Sequence, residues 1–166
     1  MWLAAGVAGL VGAALCLWLM HERSMPGLRA LDKDFQCPDM RFRYSPEELF
    51  GGLDRLGAQG RALLLRFWCI DAGFVVSLLA VMLAAAHNCA SDFVLQRSAM
   101  DAAACLRAAA DLMENALLSR AVRAYPQKRL EGLVRLASTV TSIKWCLMVL
   151  WVAGLFASLF FRAIRL

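Results

Sequence analysis

The sequence holds six cysteines but no Cys-x-x-Cys pair: they stand singly at Cys16, Cys37, Cys69, Cys89, Cys105 and Cys146. That spacing excludes thioredoxin-like exchange and zinc ribbons. There are only two histidines, His21 and His87, and no HExxH motif. Nor is there a GxSxG elbow, a Walker A loop or a GxGxxG turn. Ser77, Ser119 and Ser142 have no histidine beside them to activate a hydroxyl. No basic run is interleaved with aromatics, so the formal charge of +5 does not read as a nucleic-acid interface. Neither Asn88 nor Asn115 begins a glycosylation sequon. No cofactor motif and no metal-ligand spacing is present, and none of the familiar catalytic frameworks fits.

What is abundant is apolar residues, at 61% of 166 positions, against roughly 45–50% in soluble domains. They are gathered in blocks, as a bilayer requires. The expected architecture is all-α: one domain, a four-transmembrane-helix bundle with spans at about 2–20, 63–86, 98–118 and 140–161. Each block approaches the length needed to cross a hydrocarbon core of about 30 Å. Four of the cysteines lie inside these blocks, where cysteine acts as a small hydrophobe. Cys37 and Cys89 lie in connections on opposite sides, so no disulfide is expected between them.

The first block reads as an uncleaved helix and not a secretory signal. No Lys or Arg precedes it, it is longer than a usual signal core, and Leu15 before Cys16 makes a poor lipoprotein cleavage site. Gly6, Gly9 and Gly12 fall at i, i+3 and i+6, a spacing that suits close helix approach, although small residues are common in membrane helices anyway. The third block is the polar one. Arg107, Asp111, Glu114, Asn115 and Leu118 share one side of a helix, and Ala102, Cys105, Ala109, Leu112, Ala116 and Leu117 cover much of the rest. A span with its polar stripe turned inward is the preferred reading; a helix lying on the membrane surface is the rival.

Residues 21–61 hold seven acidic and seven basic residues. Ser45-Pro46-Glu47-Glu48 is a capping box, with Pro46 suited to the first turn. It predicts a short interfacial helix over 46–56, packed against the membrane or the bundle, with Phe50, Leu53 and Leu56 on its apolar side. Gly57 suits a C-terminal cap and Gly60 a second break. The loop after the third block carries Arg120, Arg123, Lys128, Arg129 and Arg135 against Glu131. By the positive-inside rule, the two larger loops face the cytoplasm or a matrix-like compartment. Arg162 and Arg165 at the C-terminus pull the other way. Arg120, Arg123, Lys128 and Arg129 are candidates for anionic headgroup contact, against the plainer reading that they only fix topology. A bacterial inner membrane or an organellar inner membrane would be the setting.

The run Asp39-Met-Arg-Phe-Arg-Tyr44, then Leu56-Gly-Ala-Gln-Gly-Arg61, Asp71, Asp111-x-x-Glu-Asn115 and Lys144 resembles a pattern in uncharacterised small four-helix integral membrane proteins. The resemblance covers the chain from about Asp39 onward and implies the four-helix architecture.

Chemistry, if any, belongs to the ionisable groups inside the apolar blocks, since each is costly there. Asp71 lies about 12 Å into the second span, Asp111 and Glu114 lie in the second half of the third, and Lys144 lies about one turn into the fourth. In an antiparallel bundle these positions share one depth. The expected polar cluster is therefore Asp71, Arg107, Asp111, Glu114, Asn115 and Lys144, with Arg66 nearby; Asp71, Asp111, Glu114 and Lys144 are the catalytic candidates. Such a group can bind a divalent cation, shuttle protons or hold the helices in register. His21 and His87 are placed at opposite bilayer faces. The leading functional expectation is a non-enzymatic membrane subunit packed among lipids and other integral membrane proteins, in an energy-converting or other complex. The rivals are an intramembrane enzyme or proton-coupled carrier using the cluster, and a lipid-binding module using the basic loop.

Overall fold

The computed structural model describes residues 1–90 and 94–164. Within them the chain is all-helical, with no strands. Long helix α1 (Trp2–Arg23) is followed by short α2 (Met25–Leu31), a single 3-10 turn at Pro38–Met40, and long helices α3 (Pro46–Cys89), α4 (Val94–Ala124) and α5 (Glu131–Ile164). Arg165, weighed above against the orientation, lies outside the described residues. Three of the long helices, α1, α3 and α5, are long and apolar enough to cross a membrane. α4 has the length but is too polar overall, because Asp101, Arg107, Asp111 and Glu114 all fall within it.

The capping box forms as its residues require. Ser45 Oγ accepts from the Glu48 amide at 3.2 Å, and the Ser45 amide donates to Glu48 Oε2 at 2.7 Å. The helix that follows runs to Leu56 as expected and breaks at Gly57 (φ 62°, ψ −165°), beyond which a second helical stretch of α3 continues into the span. That backbone region is open essentially to glycine alone. The second break expected at Gly60 is absent: Gly60 stays helical because its bare Cα leaves room for Leu56, whose Cβ would lie 2.5 Å from a Gly60 Cβ. Of the two settings expected for the 46–56 segment, membrane or bundle, the structure shows packing on the bundle. Leu49, Phe50, Leu53 and Leu56 are buried against Leu118, Ala121 and Val122 of α4 and Val134 and Ala137 of α5.

A second apolar core at the opposite end joins Met82 and Ala86 of α3, Met100 and Ala104 of α4, and Trp151 of α5. α3, α4 and α5 pack on one another, whereas α1 packs mainly on α3. The glycine series in α1 makes that contact. A Cβ at Gly9 would come within 2.7 Å of the Ser77 carbonyl oxygen, one at Gly12 within 2.6 Å of Ser77 Oγ, and one at Gly6 within 3.0 Å of Ala84 Cβ. The antiparallel α1–α3 pair separates the histidines: His87 near the end of α3 stacks on Trp2 at 3.9 Å and meets Asp101 at 3.2 Å, while His21 closes α1 at the far end.

Candidate functional site

Between the two apolar cores lies a layer of charge. Asp71, Arg107, Asp111, Glu114, Asn115 and Lys144 are all buried, and Glu114 is 0% exposed. The helix period explains it: residues 107, 111, 114 and 115 of α4 turn to one side, facing residue 71 of α3 and residue 144 of α5. Lys144 Nζ donates to Glu114 Oε2 at 2.6 Å, to Asp111 Oδ1 at 2.9 Å and to the Asp39 carbonyl at 3.0 Å. These use all three ammonium hydrogens. Asp111 also accepts from Arg107 Nη2 at 2.6 Å, so it bridges the two cations. The remaining oxygen of Glu114 accepts from Thr141 Oγ1 at 2.5 Å. Asp71 accepts from Asn115 Nδ2 at 2.7 Å. Arg66, placed nearby by sequence, is exposed and takes no part.

Sequence reasoning on the spans omitted Asp39, which stands in the 3-10 turn and is 6% exposed. A proline at the head of the turn and the buried Cys37 beside it carry the loop down into the bundle. Burial pushes the Cys37 thiol well up from its ordinary value, and the Asp39 charge adds to this. Tyr44 and Ser138 anchor the same loop: the Tyr44 amide donates to Ser138 Oγ at 3.0 Å. Outside the membrane-facing helices, the Arg55 guanidinium hydrogen-bonded to Asp32 at 2.8 Å holds that carboxyl below the usual range and ties α2 to the first part of α3.

The charge layer forms one end of a cavity of about 590 Å³. Asp39, Asp71, Arg107, Asp111 and Lys144 supply its polar part; Leu17, Met20, Phe67, Phe74, Leu78, Trp145 and Met148 supply apolar walls. α1 and α5 both line it, yet neither leans on the other as an extended interface. His21 and Arg29 stand at the rim and are exposed. Not every buried polar atom is satisfied: Asp39 Oδ1, Asn115 Oδ1 and Arg107 Nε and Nη1 have no hydrogen-bond partner among the described residues. Among the described residues, no three His, Cys, Asp or Glu side chains converge as a metal-ligand set. The basic loop is separate. Arg120, Arg123, Lys128 and Arg129 are exposed, with the Arg129 guanidinium 5.0 Å above the Phe50 ring. Tyr125 donates from its hydroxyl to Asp54. All six cysteines are free thiols.

No family model, curated protein or solved structure matches the chain.

Proposed function

We propose that this is a four-span membrane protein that receives a small, largely apolar molecule in the cavity floored by its charge layer. The observation that carries this reading is the joining of one apolar chamber to five buried ionisable side chains. Ligand sites typically have volumes of about 300–1,000 Å³, apolar walls and a few converging polar groups. A cluster serving only to lock helices would be closed and fully paired, whereas this one leaves Asp39 Oδ1 and two guanidinium nitrogens unpartnered.

The fourth span rests on the outer side of α4. From residue 99 to residue 116 its exposed positions are Ala99, Ala102, Cys105, Leu106, Ala109, Leu112, Met113 and Ala116, all of them apolar. That stretch rises about 27 Å, near the thickness of a hydrocarbon core. A surface-lying helix would send its charges outward to water; this one sends them inward. The positive-inside rule then sets the charge layer toward the cytoplasmic or matrix-like side, close to the basic loop.

A binding assay tests the cavity. The purified chain in lipid nanodiscs should take up the neutral dye N-phenyl-1-naphthylamine with a saturable component absent from empty discs. Leu78→Trp, which fills the chamber, should reduce that component at least tenfold. Unchanged uptake by the filled variant would overturn the reading.

A subunit role is a second reading, favoured by the small side chains on α4's outer face. Ala102, Ala109 and Ala116 lie exposed at a seven-residue spacing and leave room for a neighbouring helix. Native electrophoresis in mild detergent checks it: extracted membranes should give a band well above the 18.3 kDa chain, and a lone monomer would count against it.

A further inference from the structure

The sign of the ligand follows from which charges are already neutralised. Four carboxyls, Asp39, Asp71, Asp111 and Glu114, are buried with two cations, Arg107 and Lys144. Arg107 is held by Asp111 and Lys144 by Glu114 and Asp111. Among the described residues neither the Asp39 nor the Asp71 carboxyl forms an ion pair of its own, although Lys144 rests on the Asp39 carbonyl, and both residues line the cavity. Asp39 is 6% exposed and its Oδ1 has no partner; Asp71 has only the neutral amide of Asn115. A buried carboxylate without a counter-charge is expensive.

We infer that the cavity takes an amphipathic cation, an apolar body bearing an amine or a delocalised positive charge, whose charged end settles against Asp39 and Asp71. The walls fit that chemistry. Phe67, Phe74 and Trp145 put aromatic rings in the lining, a residue type that attracts cations, as Lys144 lying 6.0 Å from the Trp145 ring centroid already illustrates, and Met148 is an adaptable neighbour for bodies of varied shape. Arg107 keeps two unpartnered guanidinium nitrogens, but its charge is already set against Asp111, and Lys144 has no hydrogen left to donate, so an anion would meet more buried carboxyls than buried cations. Arg29 and His21 at the rim are exposed to solvent, where their charge is screened.

This inference rests on the cavity being a ligand site, and two ions of matched shape separate the two claims. The full chain in nanodiscs is titrated with tetraphenylphosphonium and with tetraphenylborate, and empty discs are subtracted. Saturable binding of the cation alone is expected, with affinity falling tenfold or more in Asp39→Asn/Asp71→Asn. That variant should still take up neutral N-phenyl-1-naphthylamine, which shows its cavity intact. Should it lose the dye as well, the single Asp39→Asn change at the loop position serves in its place. Equal binding of both ions, or cation binding indifferent to the Asn changes, overturns the cation assignment and leaves the cavity standing. Binding of the neutral dye with neither ion does the same. Failure of all three probes overturns the cavity reading itself.

Discussion

Replacing Lys144 by Met should cost about 3–5 kcal/mol of stability, the usual penalty for breaking a buried ion pair from one side. The reason lies in what is left behind. Glu114, 0% exposed, would keep only the Thr141 hydroxyl, and Asp111 only Arg107. The Asp39 carbonyl would also lose its donor, and with it the tie between the inserted loop and α5. Thermal unfolding in detergent micelles reads the loss directly. Glu114→Gln in the Lys144→Met background should recover part of it, because the orphaned charge is then gone. A double-mutant cycle should show coupling well above the roughly 0.5 kcal/mol expected of independent sites. Additive losses would mean that Lys144 and Glu114 do not share an interaction, contrary to their 2.6 Å contact.

Gly9→Leu should be nearly as damaging, at about 3 kcal/mol, the upper part of the range for overpacking. Even a bare Cβ there meets the Ser77 carbonyl oxygen at 2.7 Å, and this is backbone, which cannot swing aside. Val81 and Ala80 close the remaining space at 3.0 and 3.1 Å. α1 must therefore move off α3, its main partner. The measurement is a cysteine crosslink between positions 16 and 73, which face each other where a Gly73 Cβ would lie 3.2 Å from Cys16 Sγ. Gly73→Cys should crosslink readily with the native Cys16, and Gly9→Leu should slow that crosslink at least severalfold. An undiminished rate would show that the glycine series does not set the α1–α3 distance.

Much of this arrangement was legible because helices are periodic and spans have a fixed length. Counting 1.5 Å per residue was enough to bring Asp71, Asp111, Glu114 and Lys144 to one depth, and the period of 3.6 put Arg107 and Asn115 on the same side. The glycine spacing in α1 likewise pointed to close packing. Asp39 escaped because nothing in a loop's sequence gives the path of its backbone: the turn at Pro38–Met40 descends into the bundle through tertiary contacts of Cys37 and Tyr44. Thr141 escaped because a threonine in an apolar helix looks like any other, and its role appears only once Glu114 is opposite. Gly60 misled because glycine has two uses, breaking a helix and making room beside one, and the choice depended on Leu56. The cavity could not be foreseen, since it arises from α1 and α5 standing apart.

If α4 is the fourth span proposed above, the inward turn of every charge in its middle bears on how the chain reaches the bilayer in the first place. Arg107, Asp111 and Glu114 would each cost about 2.5–3.5 kcal/mol at the centre of an isolated inserting helix, more than its alanines return. α4 therefore cannot partition into lipid by itself. The residue that neutralises Glu114 belongs to α5 and is synthesised later, so a spanning α4 would have to be sheltered by α3, or held at the insertion machinery, until Lys144 has emerged. On the four-span reading, biogenesis of this chain would then be the joint entry of a helical pair, with the second member admitting the first.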